Sequence, residues 1–112
     1  MGIERLIVHE SQYNELYDII CRRSKELRFG PVLAPPVEGF LSTADCGSMI
    51  SKDRFSDLER ILYDAESEGA AVEVGGTRHD HRYFSSGAYF SATVVGNPPP
   101  TSEVAREERK LL

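Results

Sequence analysis

The chain has 112 residues, 40% of them apolar and 28% charged, close to globular averages. Thirteen basic residues against eighteen acidic ones give a net charge of −5, which disfavours nucleic acid as a partner. The length allows one small domain rather than a nucleotide-binding domain plus a substrate domain, and no run approaches the ~20 apolar residues of a membrane span.

Cys21 and Cys46 make a poor disulfide framework. Met1-Gly2-Ile3-Glu4 lacks the basic and apolar regions of a secretory leader. An intracellular, cytoplasmic chain with reduced thiols is expected. The Met-Gly start is not a myristoylation signal, because position 6 is Leu rather than Ser or Thr.

Residues 5–9, Arg-Leu-Ile-Val-His, read as a short buried strand. Ser11 offers an N-cap, and Tyr13, Leu16, Tyr17, Ile20 and Leu27 recur at three- and four-residue steps, predicting a helix over 12–28 that Gly30-Pro31 stops. Residues 31–47 have no periodicity, an unusual length for a loop in a compact domain. Ser51 caps a second helix, over 52–68, whose inward stripe is Phe55, Leu58, Ile61, Leu62 and Ala65, with Gly69 as the residue past its end. Ala71-Val72-Glu73-Val74 alternates as a strand ended by Gly75-Gly76. Residues 77–82 are polar, 89–95 return to strand type, and Pro98-Pro99-Pro100 break regular structure. The pattern is α/β with a few-stranded sheet and two main helices. Three strands are fewer than the usual 4–6, so the sheet looks incomplete.

Few constellations suggest chemistry. His79 and His81 could share a metal, but spacing gives no third ligand, and a solvated turn after Gly75-Gly76 is the favoured reading. Arg22, Arg23, Lys25 and Arg28 read as a solvated face. Cys46 follows Asp45, a neighbour that would raise its pKa. Cys21, beside Arg22 and Arg23, reads as a half-buried packing residue. No Gly-x-Ser-x-Gly elbow is present, and Gly75-Gly76 does not open a helix as a phosphate-binding loop would. Glu107-Glu108, taken alone, belongs to a charged terminal run.

The order of small motifs says more than any one of them. Gly2 to His9 (Gly-Ile-Glu-Arg-Leu-Ile-Val-His) leads to Tyr13-Asn14-Glu15-Leu16-Tyr17, then Leu27-Arg28-Phe29-Gly30-Pro31 and a loop closing on Asp45-Cys46-Gly47-Ser48-Met49-Ile50-Ser51. Arg54-Phe55-x-x-Leu58-Glu59, Glu68-Gly69-Ala70, Val74-Gly75-Gly76, Tyr89-Phe90-x-x-Thr93-Val94 and Ala105-Arg106-Glu107-Glu108 follow. This series resembles part of the catalytic domain of the NAD(P)-dependent aldehyde dehydrogenase superfamily over about residues 2–108. One departure is the stretch 31–45, longer than the family usually has there.

The resemblance implies a partial catalytic domain over 1–108 and a non-family tail over 109–112. In the family a cysteine in Gly-Gln-x-Cys attacks the aldehyde, hydride passes to nicotinamide, and water hydrolyses the thioester. That cysteine precedes by five residues the arginine resembling Arg5, which puts it just before Met1. The general-base glutamate and the dinucleotide-binding domain also lie upstream in the family. The resemblance therefore implies no catalytic residue in this chain, and Cys21 and Cys46 do not align with the nucleophile. Glu108 resembles the cofactor-binding glutamate that holds the nicotinamide ribose, although Arg109-Lys110-Leu111-Leu112 stand where Phe-Gly-Pro is expected. NAD or NADP and a small aldehyde belong to the full-length family, and this chain alone is expected to bind no cofactor and to be inactive. The alternative is a non-enzymatic module that self-associates or packs on a partner covering the incomplete sheet.

Overall fold

The computed structural model describes residues 3–33 and 44–107. Helix α1 spans Glu10–Lys25 and α2 spans Phe55–Ser67. Four short strands follow, β1 (Ala71–Val74), β2 (Arg78–His79), β3 (Tyr89–Phe90) and β4 (Val94–Gly96), and then a four-residue helix α3 (Glu103–Arg106). The strands form two antiparallel pairs, β1 with β4 and β2 with β3.

α2 lies where its periodicity puts it. Phe55, Ile61 and Ala65 are buried, with Leu58 and Leu62 half-buried beside them. Ser51 Oγ accepts from the Asp53 N–H at 3.0 Å, so it caps a turn that precedes the helix rather than the helix itself. Gly69 has φ +105°, the Gly69 N–H donates to Glu66 O, and the Ala70 N–H donates to Ala65 O at 2.9 Å. That is the left-handed C-terminal cap for which glycine is suited.

α1 differs from its expected bounds at both ends. Its N-cap is His9, not Ser11: Nδ1 of His9 accepts from the Ser11 N–H at 3.2 Å. It stops at Lys25, well before Gly30, because the backbone of Arg28 is engaged elsewhere. The Arg28 N–H donates to Asp45 Oδ2 at 2.9 Å, and Arg28 O accepts from the N–H groups of Asp45 and Cys46 at 2.8 and 3.0 Å. With Phe29 bridged in parallel to Cys46, these bonds close the base of the long loop, whose residues 34–43 lie outside the described residues.

The expected strand at 5–9 is absent. Residues 3–9 have no regular structure, and Ile3, Leu6 and Ile7 are exposed. A strand exists through its ladder, and no backbone hydrogen bond ties residues 3–8 to any other described residue. The run 89–95 is split in two. Between β3 and β4, the Ser91 N–H donates to Thr77 O, and Thr93 Oγ1 accepts from the Gly76 N–H at 2.9 Å. The chain thereby passes from one strand pair to the other. A bulge between Val72 and Val74 shifts the β1–β4 register.

The core sits between α2 and the strands, where Phe55, Ile61, Ala65, Ala70, Val74, Ala88 and Tyr89 are buried. The ring of Phe55, 1% exposed, meets Phe90 at 5.4 Å. Arg78 lies over Phe55 and pairs with Glu59 at 2.7 Å, tying β2 to α2. No described helix is long and apolar enough to cross a membrane.

Candidate functional site

The chain reaches Glu107 through α3. Ser102, fully buried, donates through its hydroxyl and its N–H to Pro99 O at 2.8 and 2.9 Å, turning the chain out of the proline run. α3 is then held against α2: Arg60 bridges Asp64 and Glu103, each at 3.0 Å. Arg5 Nη1 donates to Ala105 O at 2.6 Å, fastening residues 3–8 to the same turn. Glu107 leaves α3 in an extended conformation, φ −111° and ψ 138°. Glu108 itself, the expected ribose contact, lies outside the described residues.

The two cysteines occupy different settings. Cys21 is 5% exposed and Cys46 half-buried, and both are free thiols. Cys21 is thus more buried than its position in the sequence suggests. Its neighbour one turn earlier is Tyr17, whose phenol is pushed up to about 12, first by burial and then by Cys21 and Glu73. A phenol with that proton affinity does not serve as a base for a thiol near neutral pH.

The histidines are not in a simple solvated turn. His79 is exposed on β2, but His81 is 8% exposed. Its ring lies among Phe84, Tyr89 and Tyr83 at centroid distances of 5.2–6.3 Å, and Nδ1 accepts from the Tyr83 N–H at 3.2 Å. A Cβ on Gly30 would lie 3.1 Å from Nε2 of His81, so glycine at 30 gives the ring room. Phe29 and His79 complete the aromatic cluster. Among the described residues no three His, Cys, Asp or Glu side chains gather as a metal site. The clustering of Tyr83, Phe84 and Tyr89 around His81 was the available sequence signal for burial.

The basic face is solvated, and two of its members have acidic partners. Arg23 pairs with Glu26 at 3.2 Å. Arg28 grips Asp45 through Nε and Nη2, both at 3.0 Å, and this hydrogen-bonded pairing draws the Asp45 carboxyl down to about 2.

The structure holds an open, largely apolar groove of about 750 Å³. Residues 3–8 and 90–95 line it, together with Tyr17 and Ile20 of α1 and Leu58 and Ile61 of α2. The half-buried stripe of α1, Tyr13, Leu16, Tyr17 and Ile20, opens into this space instead of a closed core.

A profile of the aldehyde dehydrogenase family matches residues 1–109. This chain belongs to that family. An aldehyde dehydrogenase-like protein of Saccharomyces cerevisiae is 34% identical over 96% of the chain, and 3,6-anhydro-alpha-L-galactose dehydrogenase of a Vibrio species is 28% identical over 94%. The fold is similar to that of betaine aldehyde dehydrogenase from Staphylococcus aureus, solved with NAD+: the TM-score is 0.74 at 27% identity, over 90% of this chain and 19% of that one. The chain spans only 16–20% of the length of these curated relatives. Its α/β architecture is that of a partial aldehyde dehydrogenase domain, and the small antiparallel pairs are pieces of a larger arrangement.

Proposed function

We propose that this chain is an internal piece of the catalytic domain of an intracellular NAD(P)-dependent aldehyde dehydrogenase, oxidising an aldehyde to a carboxylic acid only within a complete polypeptide. Residues 1–108 are the family portion, 109–112 a tail, and the chain alone is inactive. The observation that carries the reading is a family match over almost the whole chain combined with coverage of under a fifth or so of each full-length relative.

The chain's own part in such an enzyme is structural and positional. α3, clamped by Arg60 and Arg5, holds the turn that leads to Glu107, next to the residue assigned to the cofactor ribose. The described residues do not fit a whole dinucleotide: Gly75-Gly76 leads from β1 to β2, not into a helix N-terminus that could receive a pyrophosphate. One charge-assisted hydrogen bond contributes about 1.5–3 kcal/mol, short of the ~4 kcal/mol that even millimolar binding requires. No chemical step is therefore assigned to this chain through the cofactor.

The test is to mix the purified chain with NAD+ or NADP+ and a panel of aldehydes that includes betaine aldehyde, and to follow absorbance of the reduced cofactor. No turnover above a protein-free blank is expected, and turnover would overturn the inactivity. Sequencing the genomic reading frame on both sides tests the origin. Codons for Gly-Gln-x-Cys abutting Met1 are expected, and an unrelated in-frame neighbour argues for the second reading, a non-enzymatic packing module. That second reading draws on the exposed Ile3, Leu6 and Ile7.

A further inference from the structure

We draw no further inference here: the strongest candidate, the open apolar groove lined by residues 3–8, 90–95 and the half-buried stripe of α1, carries nothing, because filling it with the rest of the same domain restates the fold of the family and nothing in the structure shows another occupant.

Discussion

Gly75 and Gly69 both have positive φ, +78° and +105°, but their surroundings differ. A Cβ on Gly69 would meet nothing within 4 Å. On Gly75 it would collide with the carbonyl oxygen of Ala92 and lie 2.6 Å from Thr93 Oγ1 and 2.8 Å from the Ala92 carbonyl carbon. Gly69→Ala therefore carries only the left-handed backbone cost of about 1–2 kcal/mol, offset by about 0.4–1 kcal/mol from a stiffer unfolded chain. Gly75→Ala adds overpacking against main chain that cannot swing away, about 1–3 kcal/mol. The difference between the two variants is thus about 1–3 kcal/mol, or roughly 4–20 °C in Tm for a domain near this size. Thermal and urea unfolding followed by circular dichroism measure it. Equal midpoints for the two variants would refute the reading that close passage of Gly75 against Ala92 and Thr93 constrains the step between the two strand pairs.

Two further outcomes follow from the side-chain environments. The folded Asp45 carboxyl titrates at about 2, against an ordinary 3.8. Its contribution to stability is therefore fully present above about pH 4 and is lost as pH falls through about 2. Carboxyl NMR titration should show that low midpoint, and Arg28→Ala should return it toward 3.8; an unmoved midpoint would show that Arg28 is not the cause. In the native chain Cys46 should react with a thiol reagent well before Cys21, which is 5% exposed and α-helical. Equal rates under native conditions would contradict the packing of α1.

Much of the architecture was legible because it is local. α2 could be read residue by residue from Phe55 to Gly69, since its apolar spacing and its cap both depend on neighbours within a few positions. α1 was legible in kind but not in extent, because its end is fixed by Asp45, seventeen positions beyond Arg28. Residues 5–9 carry a strand's composition, but composition does not supply a partner, and none of the described residues provides one. β2 escaped notice because Arg78 and His79 are both exposed and polar. α3 is too short, at four residues, for any periodicity to appear. The candidate site was reached only through motif order. Nothing in the charge or spacing of Glu107-Glu108 distinguishes a ribose contact from a solvated terminus, and the clamp from Arg60 and Arg5 that orients this turn spans residues far apart in sequence.

The clasp of Arg28 on Asp45 also bears on how this chain can vary. Once both ends of a loop are held at a common base, the entropy of closing it grows only logarithmically with its length. Doubling the stretch between the two residues would cost only ~0.6 kcal/mol. Between Pro31 and Ala44, beyond the bonds that hold Phe29 and Gly30 to Cys46, length is therefore nearly free to drift by insertion or deletion. The clasp residues have no such freedom: among homologues, variation in loop length should be broad while the guanidinium–carboxylate pair at its base persists.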